Sequence, residues 1–177
     1  MDIEKFVSQS FGQWRSQRSA HHLAFGHFEQ VTSEITIEPL TKDDEGVIAL
    51  CESYKTEIGA IATPFRMSWA GESDWDDDET FSGSTILIPV PDAADATKGK
   101  LLRDQGYAET ISSAGEYHFD DEGAFVLHTS YDRAAAEERI WFANPNFRMR
   151  VSLIKTSSGS GVVTASFSTE IRSESDA

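Results

Sequence analysis

Two stretches of the chain carry apolar residues at spacings of three and four. Behind Asp2, a suitable N-cap, Ile3, Phe6, Val7, Phe11 and Trp14 share one face of a helix. After Thr41-Lys42-Asp43-Asp44, a capping-box-like spacing in which Asp44 replaces the usual Glu or Gln, Val47, Ile48, Cys51 and Tyr54 mark the apolar face of a second helix. Nearly everything else reads as short strands, over 15–29, 32–39, 61–69, 84–90, 115–120, 123–132, 137–143, 147–156 and 161–171, many rich in Thr, Val, Ile and aromatic residues. Turn chemistry separates them. Gly123 in Asp120-Asp121-Glu122-Gly123 stands where a hairpin needs a positive φ, and Ser157-Ser158-Gly159-Ser160-Gly161 is a flexible tip.

Many short strands joined by tight turns predict a closed antiparallel sheet, because closure removes exposed edges. A barrel of eight to ten strands also leaves room for one small ligand. The expected fold is mainly β, a lipocalin-like closed antiparallel barrel of about ten strands with an N-terminal helix and one further short helix. A β-sandwich is the alternative. The length of 177 residues fits one domain of roughly 150 residues or somewhat more, drawn over 1–171 with 172–177 as a polar, frayed tail.

Charge and cysteine content narrow the partners. Fifteen Lys+Arg against thirty Asp+Glu leave a formal charge of -15, which argues against nucleic-acid backbones and anionic membranes. The single cysteine, Cys51, excludes an internal disulfide framework and cysteine-based zinc sites, so a reducing compartment, the cytosol, is expected. On its apolar helix face Cys51 reads as a small buried hydrophobe rather than a reactive thiol. No apolar stretch approaches the ~18 residues that span a bilayer, and the N-terminus lacks a basic-then-apolar signal pattern.

Standard enzyme signatures such as GxSxG, GxGxxG, Walker A, HExxH and CxxC are absent. Asp74, Asp76 and Asp78 imitate the start of a calcium loop, but Glu79 occupies the required Gly and Thr85 the required bidentate Glu. His21 and His22 are adjacent in a strand and point to opposite faces, which leaves no ready metal site. The informative feature is arginine inside strand-like segments. Period-2 geometry puts Arg148, Arg150 and Ser152 on one face of 147–156 and Phe147, Met149, Val151 and Leu153 on the other. Same-face neighbours about 7 Å apart suit two carboxylates of one flexible ligand. The alternative points these arginines at water and the four apolar residues into the core. Glu138, on a face with Ile140 and Phe142, and Glu170, alternating with Ser168 and Arg172, are open to the same two readings. Trp69 and Trp75 offer flat surfaces for a conjugated ligand or ordinary packing.

Four stretches taken together resemble the S/U-type phycobiliprotein lyases, the CpcS/CpeS-like family. They are Gly12-Gln-Trp14-Arg-Ser-Gln-Arg18-Ser-Ala-His21-His22-Leu-Ala-Phe25; Met67-Ser-Trp69 with Trp75-Asp76; Glu138-Arg-Ile-Trp141-Phe142-Ala-Asn-Pro-Asn146-Phe-Arg148-Met-Arg150; and Ser168-Thr-Glu170-Ile-Arg172. Gly83-Ser84-Thr85 before Ile86-Leu-Ile-Pro89, and Leu101-Leu102-Arg103-Asp-Gln-Gly106-Tyr107, look like the family's pattern too. Ser19 stands where Thr is common, and Ala70 where an Asp is common, so no carboxylate role is expected there.

The resemblance implies a barrel, often dimeric, that binds free phycocyanobilin or phycoerythrobilin and attaches it to a cysteine of an apo-phycobiliprotein subunit of phycocyanin or phycoerythrin type. The phycobilin is substrate, and no metal, nucleotide or tightly bound cofactor is implied. The partner list includes a second copy or a related lyase subunit, and the location a cyanobacterial cytosol or a plastid stroma. The site that follows gives Arg148 and Arg150, with Arg18, the propionates; Met67, Trp69, Trp75 and Ser152 the cavity wall; and Glu138, Glu170 or His21 the proton chemistry and ring orientation. Alanine at Arg148 or Arg150 is expected to weaken bilin binding and leave thermal stability nearly intact. A non-catalytic bilin carrier is the alternative function.

Overall fold

Asp2 caps helix α1 (Ile3–Ser10), its carboxylate accepting from the Lys5 amide at 2.8 Å. The apolar spacing runs on to Trp14, but the helix stops at Ser10. Phe11 is extended, Gly12 has φ +116°, and Trp14 already lies in a strand. Only glycine takes that φ without strain, and a Cβ there would also meet the Arg172 guanidinium at 2.8 Å. The helix therefore turns sharply into the sheet.

The computed structural model describes residues 1–74, 80–104, 114–131, 133–156 and 161–173. Strands β1 (Gly12–His22), β2 (His27–Pro39), β3 (Phe65–Ser73), β4 (Thr80–Pro91), β5 (Lys98–Arg103), β6 (Gly115–Phe119), β7 (Phe125–Ser130), β8 (Ala134–Asn144), β9 (Phe147–Thr156) and β10 (Val162–Arg172) pair antiparallel in sequence order. Pairing of β1 with β10, Trp14 opposite Arg172 and His22 opposite Thr164, closes the barrel. Helix α2 (Glu45–Ser53) and a single 3-10 turn at Ile58–Ala60 fill the β2–β3 connection. The closed barrel, rather than a sandwich, is the fold.

Several boundaries move. The predicted strand 15–29 is two strands, because Gly26, at φ +60°, lets the chain reverse so that His22 pairs with His27. Strand β5, short and flanked by lysines around Gly99, has too little apolar alternation to stand out in sequence. The predicted 61–69 strand begins at Phe65, after the 3-10 turn and Pro64. The N-cap of α2 is Asp44, not Thr41: its Oδ1 accepts from the Gly46 and Val47 amides at 2.9 and 3.4 Å. Residue 172 is no tail residue, since it ends β10 and its side chain is bonded into the structure, as described below. Gly123 does supply the positive φ of its hairpin, at +79°. The tip at 157–160 lies outside the described residues.

Two apolar clusters hold the barrel. Inside, Ile3, Phe6 and Val7 of α1 plug one end, packed with Trp14, Ile35, Phe65, Leu87, Tyr117, Phe125 and Ile140; Phe6 stacks on Phe125 at 4.5 Å between ring centroids. Outside, α2 covers the opposite face of β4 and β5, so that Val47, Leu50 and Cys51 meet Ile86, Ile88 and Leu102. Cys51 is 1% exposed, and burial pushes its thiol above the ordinary range, which leaves it unreactive. No described element covers the end of the barrel away from α1, where the β1–β2 turn exposes Leu23 and Phe25.

Candidate functional site

Burial settles which way the arginine strand faces. Arg148 is 2% exposed, while Phe147, Met149, Val151 and Leu153 are only partly covered on the outer wall. The polar face of β9 therefore points into the barrel, opposite to the arrangement in which arginines meet water. Glu170 on β10 and Glu138 on β8 point in as well, at 1% and 7% exposure, so the solvated reading of both carboxylates is corrected. Register aligns them: Glu170 sits opposite Arg148, Ser168 opposite Arg150, and Glu138 opposite Ser152.

Arg148 and Glu170 form the deepest pair. The arginine Nε donates to Glu170 Oε2 at 2.5 Å, and its Nη2 contacts the same oxygen. Its guanidinium carbon lies 4.7 Å from the Trp14 ring centroid and 5.9 Å from that of Phe142. Arg172 approaches Trp14 too, at 4.2 Å, while donating to the Gln9 carbonyl at 2.8 Å and to the Phe11 carbonyl. The fully buried Trp14 indole is thus contacted by two guanidiniums, and its own N–H donates to the Ser10 carbonyl at 2.8 Å. Burial alone would raise the Glu170 carboxyl. The attraction of Arg150 and Arg148 and the Arg148 hydrogen bond overcome that effect and hold it below the ordinary carboxylate range.

Nearer the middle of the barrel the charges are less enclosed. Arg150, 14% exposed at its side chain, bridges Glu138 Oε1 at 3.3 Å and Glu170 Oε1 at 3.4 Å. Ser152 Oγ lies 3.5 Å from Glu138 Oε1, at the limit of a hydrogen bond. Arg18 is paired across β1–β10 with Ser168, which in turn faces Arg150, so the two arginines flank one serine. The Arg18 Nε is buried without a hydrogen-bond partner among the described residues. Met67 and Trp69 line the wall from β3, and the Trp69 ring lies over Gly83, where a Cβ would come within 2.5 Å. Glycine at 83 makes room for the indole. Trp75 lies outside the described residues.

His21 is not brought into this interior. It occupies an outward position of β1, exposed, with its ring 5.0 Å from that of Phe28, because the strand alternates and Trp14, Ser16, Arg18 and Ala20 take the inward positions. His22 points in instead. Its Nε2 lies 2.8 Å from Glu29 Oε2, and Ser73 Oγ donates to Glu29 Oε1 at 2.6 Å. Burial tends to raise the Glu29 carboxyl, but the Ser73 and His22 bonds and the Arg18 charge bring it below the ordinary value. Arg103, 5% exposed, is a further inward cation, its Nη2 3.4 Å from Thr129 Oγ1. Sequence reading missed Arg103, the His22–Glu29 pair and the place of Trp14. For Arg103 and Glu29 the available signal was a charged residue at a strand's inward phase.

Inward strand positions around the lumen thus include Arg18, Arg103, Arg148 and Arg150 against Glu29, Glu138 and Glu170, in a chain whose formal charge is -15. Among the described residues these inward groups carry four guanidiniums against three carboxylates where the whole chain is anionic, and they suit an anionic ligand with a flat apolar body. Among the described residues no group of three or more His, Cys, Asp or Glu is placed to hold a metal ion.

The chain is similar to known proteins over most of its length. A family model described as CpeS-like protein matches residues 2–173. A chromophore lyase CpcS/CpeS from Trichodesmium erythraeum is 58% identical, the match covering 98% of this chain and 100% of the relative. A putative phycoerythrobilin lyase CpeS from Microchaete diplosiphon is 56% identical over 89% of this chain and 71% of its own. The solved S-type phycobiliprotein lyase CpeS from Guillardia theta superimposes with a TM-score of 0.88 at 48% identity, covering 99% of this chain and 95% of that one.

The burial of Arg148 changes what its removal does. Arg148→Ala removes the nearer of the two arginines that balance the buried Glu170, leaving Arg150 at 3.4 Å, and is expected to destabilise the fold by up to roughly 3–5 kcal/mol. Denaturant unfolding measures this, and an unchanged midpoint at unchanged slope excludes a structural role for the pair.

Proposed function

Because the chain belongs to the CpeS-like family, we infer that it binds a free phycobilin and catalyses thioether attachment of that bilin to a cysteine of an apo-phycobiliprotein. The observation that carries this reading is the lumen: among the described residues four arginines point inward beside three carboxylates, within a strongly acidic chain. A phycobilin is a long, flat, conjugated tetrapyrrole with two propionates, and such a wall complements both its charge and its shape.

Residue roles follow from depth. Arg148, fully enclosed and committed to Glu170, acts as the floor of the cavity and holds Arg150 in place through the shared carboxylate. Arg150 and Arg18, on either side of Ser168, take the propionates. Met67 and Trp69 flank the conjugated body, and Ser152 with Glu138 offers polar contacts to the pyrrole nitrogens. The bilin is phycoerythrobilin or phycocyanobilin, in keeping with the names of relatives such as the phycocyanobilin lyase subunit CpcS of a Picosynechococcus, 42% identical. Phycoerythrin- and phycocyanin-type subunits are the acceptors. No tightly bound cofactor enters the reaction.

Cysteine addition to a bilin needs a thiolate from the acceptor, a proton for the tetrapyrrole and a fixed orientation. The buried Cys51 competes for none of these. A cytoplasmic location fits the lone free thiol and the cyanobacterial relatives. Pairing with a second copy or a related lyase subunit is supported by the apolar outer wall of β9 and β10, where Phe167 and Ile171 are 41% and 58% exposed.

Three outcomes are expected. Bilin-loaded protein mixed with apo-phycobiliprotein yields denaturation-resistant chromophore faster and in purer form than free bilin does; equal rate and purity leave only the carrier reading. Arg150→Ala and Arg18→Ala each weaken bilin binding about tenfold or more in absorption titrations, at roughly 1.5–3 kcal/mol per charge-assisted bond; unchanged affinity in the double variant removes both from the site. Sedimentation at micromolar concentration gives a dimer mass, and a monomer mass there excludes the homodimer.

A further inference from the structure

We propose that the β1–β2 hairpin tip, through Leu23 and Phe25, docks the apo-phycobiliprotein on the apolar surface beside its acceptor cysteine, and so sets that thiol at the open end of the barrel. This rests on the lyase reading above. Between His22 and His27 the chain reads Leu23-Ala24-Phe25-Gly26, where a tight turn ordinarily carries Asn, Asp, Ser or Gly. The backbone makes the reversal: Gly26 takes φ +60°, and the Phe25 amide donates to the His22 carbonyl at 3.1 Å. Neither apolar side chain enters a core cluster. Leu23 is 55% exposed and Phe25 81%, and Phe28, packed on the His21 ring, is 44% exposed. Single apolar residues on a surface are ordinary, but a tip made of them at the entrance to a cavity marks a contact site.

Position selects the occupant. Ile3, Phe6 and Val7 shut the α1 end and the strands close into a wall, so a cysteine of another protein meets a bilin in the lumen only at the opposite end. The tip stands on that rim. Its Leu23 amide donates to the Val163 carbonyl at 2.9 Å, which ties it to the start of β10, where Val162 is 38% exposed. The acceptor has the matching chemistry: the cleft that will hold a flat, conjugated chromophore is apolar, and before attachment it stands empty beside the cysteine. Charge favours the same pairing. Residues 20–28 contain no Asp or Glu, although the chain carries 30. An apolar cleft laid on the tip therefore buries no carboxylate, which would cost free energy without a partner.

The uncovered wall of β9 and β10 does not serve this purpose. Phe167 pairs opposite Ser19 and Ile171 opposite Arg15, so both lie along the barrel toward the α1 end. From Ser19 to Leu23 is four residues, about 13 Å at ~3.3 Å per residue. A second copy held on that wall leaves the tip uncovered for the acceptor. Leu23 and Phe25 bring no group that reacts. Their contribution is to hold the acceptor while its thiol meets the bilin, which turns an encounter between two proteins into a step within one complex.

The test compares wild type with the double variant Leu23→Ser, Phe25→Ser in bilin affinity by absorption titration, in attachment rate against apo-phycobiliprotein concentration, and in sedimenting mass. The variant should bind bilin within about twofold of wild type and need at least about tenfold more acceptor for half-maximal rate, the loss that follows removal of an aromatic anchor. Its rate at saturating acceptor should stay within about threefold of wild type, because docking acts before the chemical step. Phe25→Leu, which keeps an apolar side chain, should need no more than about threefold more acceptor. An unchanged half-maximal acceptor concentration in the double variant overturns the proposal. So does a loss of bilin affinity of equal size, which makes the tip part of the bilin site, or a change confined to the sedimenting mass, which assigns the tip to a second copy. If the double variant does not fold, Phe25→Ser decides the matter, its side chain being 81% exposed. A wild type no faster than free bilin overturns the lyase reading itself, a result distinct from a variant that matches an active wild type.

Discussion

The buried pairing of Arg148 with Glu170 is the constraint on which the interior depends. Taking either ion from water costs several kcal/mol, and only close, multiple contact offsets it. The structure supplies that contact by register: β9 and β10 set the two residues opposite each other, and Trp14 and Phe142 enclose the guanidinium. Glu170 then uses its second oxygen on Arg150, whose other partner is Glu138. One enclosed pair thus fixes the position of the arginine next to it, which is less enclosed.

The barrel is polarised along its axis. At one end α1 and a cluster of aromatic rings make a dry plug, and Arg172 ties the end of β10 to the carbonyls at the end of α1. Charges become less buried away from that plug, from Arg148 through Arg150 to His22 and Glu29. Such a gradient suits a protein that must hold a reactive chromophore and still present one end of it to a partner. The outer wall is polarised differently: α2 covers β4 and β5, while β9 and β10 leave apolar side chains uncovered.

Family membership accounts for an activity carried out on a cysteine of another protein. The thiol that reacts belongs to the acceptor, and Cys51 is sequestered beneath α2, where burial keeps it protonated. What the protein contributes is orientation and electrostatics, the terms that separate a directed addition from a spontaneous one.

Local signals in the sequence determined much of this. The Asp2 cap, the 3.6-residue spacing of Ile3, Phe6 and Val7, the two-residue alternation of 147–156 and the Gly123 turn are all set by neighbours in the chain, and each appears in the structure. Alternation also separates Arg148, Arg150 and Ser152 from Phe147, Met149, Val151 and Leu153. It carries no sign, however, because a strand's two faces are equivalent until a sheet closes. Closure of β1 on β10 decided that the arginines face in, put His22 inside and His21 outside, and joined Arg172 to Trp14, residues at opposite ends of the chain. Those choices are set by pairing across long sequence separations and by the cost of burying unpaired charge, so only the tertiary structure fixes them.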